Sequence, residues 1–66
     1  MTVDYSNSAI NDAIEEYIHK KRDRDILKRR LIDGITYDEL AGEFEMSVRQ
    51  IKNIVYREQD KLFKMI

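Results

Sequence analysis

Apolar residues recur at three- and four-residue intervals through the first half of the chain, which is the spacing that places them on one face of a helix. The first such stretch follows Ser6, Asn7 and Ser8, all of which suit a helix N-cap. Its apolar positions are Ala9, Ile10, Ala13, Ile14, Tyr17 and Ile18. Those of the second stretch are Ile26, Leu27, Leu31 and Ile32. The pattern predicts two amphipathic helices, preceded by a frayed segment at residues 1–7.

The boundary between these two helices is weakly marked. No apolar side chain lies between Ile18 and Ile26, which favours a break with Asp23 as the N-cap of the second helix. Nothing in this stretch forces a break, so one long bent helix is the alternative. Gly34 is well placed to end the second helix in a left-handed conformation.

Two helix-start signals, eleven residues apart, organise the second half of the chain. Thr36-x-x-Glu39 and Ser47-x-x-Gln50 are both capping boxes, in which the hydroxyl accepts a backbone N–H and the Glu or Gln side chain reaches back. They predict a short helix, a tight corner and a longer helix at 48–64. That order is the layout of a helix-turn-helix.

Winding the last helix at about 100° per residue separates an apolar face from a polar one. The apolar side carries Ile51, Ile54, Val55, Leu62, Met65 and Ile66, with Glu58 intruding. The polar side carries Arg49, Gln50, Lys52, Asn53, Tyr56, Arg57 and Lys64, with Asp60 among them. In the short helix, Leu40, Ala41 and Phe44 form the inner stripe, and Met46 follows as a core residue at the corner.

Composition supports a small helical domain. The 66 residues include no Pro and only two Gly, so we expect one all-α domain at 1–66, a bundle of about four helices with the helix-turn-helix at about 36–64. The absence of Cys excludes disulfides and thiolate metal sites. We see no signal peptide and no membrane-spanning run, and we expect a cytoplasmic protein.

Charge is segregated along the chain, although the net charge is only −1. Residues 1–18 and 34–46 each carry −4, whereas residues 19–33 carry +4 and residues 47–66 carry +3. A phosphate-binding face needs local positive charge and not a basic total. The acidic total still predicts weak non-specific affinity for DNA.

The residues that could carry catalysis are few. His19 is the only histidine, and no Ser has a base close to it in sequence. The carboxylates lie on outer helix faces beside Lys and Arg, where a solvated surface is the simpler interpretation. We therefore expect no enzyme activity, no cofactor and no metal site.

The polar face of the last helix carries residue types that read DNA bases in helix-turn-helix proteins. Arg49, Gln50 and Asn53 lie in its first two turns, and such residues recognise guanine and adenine in the major groove. Lys52, Tyr56 and Arg57 suit phosphate contacts. At the two helix N-termini, Thr36, Tyr37 and Ser47 could also meet phosphates. A polar surface helix without a ligand has a similar composition and is the alternative.

Two stretches of the sequence resemble a known protein family. Residues 24–41, which contain the string Gly34-x-Thr36-Tyr37-x-Glu39-Leu40-Ala41, resemble the fourth conserved region of bacterial sigma factors, and residues 47–52 resemble the start of its recognition helix. The resemblance covers about residues 22–64. It implies that Ala41 and Ile51 pack where the two helices cross. It also implies DNA contacts at positions 36, 49, 50, 52 and 53, and polymerase contacts by the first part of the region.

The chain departs from that family in three respects. Glu45 stands where the turn glycine is usual, so the corner must tolerate some strain. Gln50 and Ile51 replace a common Thr-Val pair, which would change the readout. No second sigma region is present, so the chain is more similar to stand-alone region-four-type proteins of phages and mobile elements, which are usually small transcriptional regulators.

The sequence leaves three interpretations. The first is sequence-dependent binding of double-stranded DNA in transcriptional regulation. The second is a protein-interaction module whose first two helices dock RNA polymerase or another regulator. The third is a homodimer through Leu62, Phe63, Met65 and Ile66 of the C-terminal helix. A basic run could be a second phosphate-binding strip or merely a solvated face; it comprises Lys20, Lys21, Arg22, Arg24, Lys28, Arg29 and Arg30.

Overall fold

A computed structural model describes residues 6–65, which form four α-helices and no strands. The helices are α1 (Asn7–Tyr17), α2 (Lys21–Leu31), α3 (Tyr37–Phe44) and α4 (Val48–Met65). Helices α2 and α4 each pack against all three others, whereas α1 and α3 do not contact each other. The predicted all-α bundle is confirmed. The expectations for residues 1–5 and for Ile66 lie outside the described residues.

The first two helices are separate. Ser6 caps α1 by accepting the backbone N–H of Ala9 at 3.2 Å, so fraying does not extend to Ser6 and Asn7. After α1 the chain becomes extended at Ile18, and residues 18–20 are not helical. Arg24 bridges this break, donating to the carbonyl oxygens of Ile18 at 3.2 Å and His19 at 2.8 Å. The alternative of one bent helix is therefore wrong.

The predicted N-cap of α2 is also wrong. The N-cap position is Lys20, which makes no side-chain capping bond. Asp23 lies inside the first turn of α2 and is 2% exposed. Asp is favoured at the N-cap and also in the first turn, where it interacts with the positive end of the helix dipole. The residue type alone therefore does not distinguish an N-cap position from a first-turn position.

The core contains the apolar residues that helical periodicity places inward. Its buried members are Ile10, Ala13, Ile14, Ile18, Ile26, Leu27, Leu40, Ile51, Ile54, Val55 and Leu62. Ala41, Phe44 and Met46 are partly buried against this cluster. Leu40 is the one fully buried residue of α3. Met65, predicted to face inward, is 55% exposed, because it lies beyond Leu62, the last buried residue of α4.

Both corners of the second half use left-handed backbone. Gly34 has φ +70° after α2, as the sequence predicts. Glu45 has φ 55° and ψ 45° after α3, and it is the only other residue of the described 6–65 with positive φ. The backbone N–H groups of Glu45 and Met46 both donate to the carbonyl of Ala41, which closes the helix end. The corner is thus made without glycine, at the strain that an L-residue has in this region.

Replacing Glu45 with glycine is expected to raise the free energy of unfolding by about 0.5–1 kcal/mol. Relief of left-handed strain, roughly 1–2 kcal/mol, outweighs the larger backbone entropy that glycine loses on folding, roughly 0.5–1 kcal/mol. The Glu45 side chain is exposed, so little packing is lost. Urea unfolding followed by circular dichroism measures the change. Glu45→Ala is the matched control, because it removes the same side chain but keeps the Cβ; equal midpoints for the two variants would exclude backbone strain as the cause.

Candidate nucleic-acid interface

The start of α4 is fixed by a complete capping box. Ser47 Oγ accepts the Gln50 N–H at 3.1 Å, and Gln50 Oε1 accepts the Ser47 N–H at 2.9 Å. At the start of α3, Thr36 Oγ1 accepts the Glu39 N–H at 3.2 Å. The two predicted helix starts are confirmed, but the first capping box is only half formed, because within residues 6–65 the Glu39 side chain does not accept the Thr36 N–H. These hydrogen bonds join residues that are three apart in sequence, and they fix where each helix begins. The direction of the polar side chains that follow on the helix is therefore defined.

Two predicted base-reading residues are exposed in the first two turns of α4. Arg49 and Asn53 are four residues apart and therefore on the same side of the helix. Neither has a side-chain hydrogen bond or ion pair with any residue in the described part of the chain. The opposite side of this segment is buried through Ile51, Ile54 and Val55. The core thus turns Arg49 and Asn53 toward solvent with their hydrogen-bonding groups available.

Gln50 is exposed but only half available. Its side-chain carbonyl is occupied by the Ser47 backbone. Its amide NH₂ has no partner among residues 6–65 and can still donate. A bidentate pair with adenine needs both groups, one to accept and one to donate. The capping bond therefore restricts this residue to the role of a donor.

A cluster of two tyrosines and two cations lies where α2, α3 and α4 meet. The rings of Tyr37 and Tyr56 are edge to face, with centroids 6.2 Å apart. The Arg30 guanidinium carbon lies 4.3 Å from the Tyr37 ring centroid, and Lys52 Nζ lies 5.6 Å from it. The neighbouring side chain of Tyr37 is the main cause that raises the pKa of Tyr56. The cluster brings together the predicted residues Tyr37, Lys52 and Tyr56 and adds Arg30, which sequence reasoning assigned only to the basic run.

Arg57 is directed to a different set of partners. Its Nε donates to Glu58 Oε1 at 2.9 Å, and its Nη2 lies 3.5 Å from Asp23 Oδ2. Asp23 and Glu58 are 2% and 8% exposed, so Arg57 is the counter-ion that α4 supplies to two buried carboxylates. In the sequence, Glu58 on the apolar face of α4 indicated a buried carboxylate, and a buried carboxylate needs a charged partner. That the second carboxylate comes from α2 is not readable from local spacing.

The cations of α2 are almost all paired within the chain. Ion pairs join Lys21 to Asp25, Arg22 to Asp23, Arg24 and Lys28 to Glu15, and Arg29 to Asp33 and Glu43. Hydrogen bonding to Lys28 lowers the pKa of Glu15, and hydrogen bonding to Glu43 raises the pKa of Arg29. Each exposed pair adds little stability, because water and salt screen its charges. Together they leave fewer free cations for a second phosphate strip than the sequence suggests.

The outer face of α3 is acidic. Asp38, Glu39 and Glu45 are exposed, and none forms an ion pair with any residue between 6 and 65. Glu43 is paired with Arg29 at 3.2 Å. A phosphate backbone would be repelled by this face, so at α3 only Thr36 and Tyr37, which precede its first acidic residue, are left to approach one.

No group of three or more His, Asp or Glu side chains in residues 6–65 could hold a metal ion. Within the same residues, no helix combines the length and apolar character needed to cross a membrane.

Comparison of the chain with models of known protein families, with curated proteins and with solved structures finds no match. The assignment of a role to the polar face of α4 therefore depends on its geometry and chemistry.

Proposed function

We propose that the chain binds double-stranded DNA in a sequence-dependent manner, as a small transcriptional regulator. In this proposal α3 and α4 are a helix-turn-helix, and α4 lies in the major groove with its N-terminal turns against the bases. The observation that carries it is the exposure of Arg49 and Asn53, free of partners in residues 6–65, on a helix whose start is fixed by a reciprocal cap.

The available groups define what each residue reads. Arg49 is suited to the N7 and O6 acceptors of guanine, and Asn53 to N6 and N7 of adenine. Gln50, held by its capping bond, donates from its amide to a single acceptor such as N7 or O4. If each of the three residues contacts one base, together they would read about three base pairs.

Phosphate contacts come from the two ends of this surface. At one end, Lys52 and Tyr56 belong to the tyrosine cluster and offer an ammonium and a hydroxyl. At the other end, the helices that start after Thr36 and Ser47 offer backbone N–H groups and the positive end of the helix dipole. Tyr37 adds a hydroxyl at the first position of α3. The acidic outer face of α3 keeps the rest of that helix away from the backbone. The resemblance to sigma region four supports the same arrangement.

Selection from random duplexes at low salt tests the proposal. Full-length protein should enrich a short motif containing a guanine and an adenine. Lys61→Ala is the matched control, since Lys61 is an exposed α4 cation that lines the cleft beside Arg57 and not the base-reading side; this variant should enrich the same motif. Absence of any enriched motif would overturn DNA reading and favour the interaction module that docks through α1 and α2.

Salt dependence should separate Lys52 from Arg57. Lys52→Gln is expected to reduce the slope of log affinity against log salt by about one, because one phosphate contact is lost. Arg57→Gln should change the slope by less, because its charge is already engaged by Asp23 and Glu58. It should instead lower the free energy of unfolding by roughly 1–2 kcal/mol, since Arg57 is itself largely exposed and only its partners are buried. Fluorescence anisotropy across NaCl concentrations and urea unfolding give the two readouts; a full unit of slope lost with unchanged stability in Arg57→Gln would contradict this assignment.

A further inference from the structure

Arg30 contacts both sides of the residue that caps α3. Its Nη1 donates to the carbonyl oxygen of Ile35 at 3.1 Å, and its guanidinium carbon lies 4.3 Å from the ring centroid of Tyr37. These two residues flank Thr36, whose hydroxyl caps the helix. One side chain from the last turn of α2 thus fixes the backbone before the cap and the ring after it.

The Tyr37 ring in turn supports two side chains of α4. Lys52 Nζ lies 5.6 Å from its centroid, within the range of a cation–π contact. Tyr56, one turn further along α4, packs edge to face on the same ring. A shift of the Tyr37 ring would therefore move the ammonium of Lys52 and the hydroxyl of Tyr56 together.

The geometry uses properties that arginine has and lysine lacks. A planar guanidinium can stack on a ring and donate in its own plane to a carbonyl at the same time, whereas an ammonium cannot do both. Arg30 is only partly exposed, and one of its nitrogens is taken by Ile35. It is therefore better placed to hold other groups than to bind a phosphate itself.

We infer that Arg30 is a positioning residue for backbone contact, which orients the N-terminus of α3 and the Tyr37 ring so that Lys52 and Tyr56 meet one DNA phosphate. The inference rests on the proposed function and adds a residue that does not touch DNA. It gives Arg30, a member of the basic run, a role other than binding a phosphate through its own charge. Removal of Arg30 then weakens binding through Lys52 and Tyr56, and not independently of them.

A double-mutant cycle with full-length protein and a fluorescent random-sequence 20-base-pair duplex tests this inference. Arg30→Gln is expected to weaken binding by about five- to tenfold, since a cation–π contact and a carbonyl hydrogen bond are lost. In the Lys52→Gln background the same change should weaken binding only about two- to threefold, because one of the two positioned groups is gone and only Tyr56 remains. Arg30→Lys should restore only part of the loss. Arg29→Gln, the matched control, removes a neighbouring α2 cation that is paired with Asp33 and Glu43, and it should bind within twofold of wild type.

A readout without DNA accompanies the cycle. Arg30 lies over the Tyr37 ring, which packs edge to face on Tyr56, so Arg30→Gln should change the NMR chemical shifts of the ring protons of both tyrosines while circular dichroism shows the helices retained. If Arg30→Gln is unfolded, Arg30→Lys in both backgrounds decides by the same comparison. A loss that persists in full in the Lys52→Gln background, or that Arg29→Gln reproduces, overturns the positioning role alone. A wild-type protein that binds no duplex at low salt overturns the proposed function, and this role with it.

Discussion

Replacing Leu40 with alanine is expected to lower the free energy of unfolding by about 2–5 kcal/mol. Leu40 is fully buried and is the one fully buried residue of the eight-residue helix α3. A chain of 66 residues has a total stability of only roughly 3–10 kcal/mol, so this single change removes much of it. Without that anchor, α3 retains its Thr36 cap but loses its main attachment to α2 and α4.

Urea unfolding monitored by circular dichroism at neutral pH measures this effect. Leu40→Met is the matched control, because it conserves volume and apolar character and should cost less than about 1.5 kcal/mol. Loss of helical signal in the native baseline of Leu40→Ala would show local detachment of α3, and a lower midpoint alone would show weakening of the whole bundle. An unfolding free energy within about 0.5 kcal/mol of wild type would contradict the importance of this contact.

Replacing Arg49 with alanine is expected to weaken binding to the selected duplex by about 5- to 150-fold. A bidentate arginine–guanine pair accounts for about 1–3 kcal/mol of discrimination. Arg49 is exposed and has no partner in residues 6–65, so its removal leaves the fold unchanged. Affinity for a random duplex should fall much less, because only one charge is lost.

Fluorescence anisotropy with the two duplexes gives the specificity ratio directly. Arg49→Lys keeps the charge but not the planar fork, so it should retain the salt slope while losing preference for guanine at one position. The outcome that counts against base reading is an equal loss of affinity for both duplexes. In that case Arg49 would be a phosphate contact.

Local signals in the sequence predicted much of the fold. The spacing of Ile10, Ile14, Leu40 and Ile51 placed their side chains in the core, because helical period alone decides which face a residue occupies. The Ser47 capping box was equally readable, since its two hydrogen bonds join residues only three apart. Hydrogen bonds between residues so close in sequence can be predicted from the sequence alone.

Contacts between helices were beyond such reasoning. The pairing of Arg57 with Asp23 joins α4 to α2 across thirty-four positions, and it depends on how two helices are rotated against each other. The contact of Arg30 with Tyr37 depends likewise on the path of the chain through Gly34. Helical period gives the direction of a side chain on its own helix but not which neighbour it meets. For that reason the sequence did not reveal the Asp23 partner of Arg57 or the contact of Arg30 with the Tyr37 ring.

Amide hydrogen exchange in the middle of α4 reports on the unfolding of the whole domain. Ile51, Ile54 and Val55 are buried where α4 packs against the other three helices, so their amide hydrogens can exchange with deuterium only when the entire bundle opens. A duplex held on the outer side of the same helix, at a hundredfold excess over its Kd, would stabilise the native state by about 2.7 kcal/mol. Exchange that requires global opening would then slow about a hundredfold in every helix. Amides of α1, which has no direct contact with α3, would report a ligand bound on the far side of the domain.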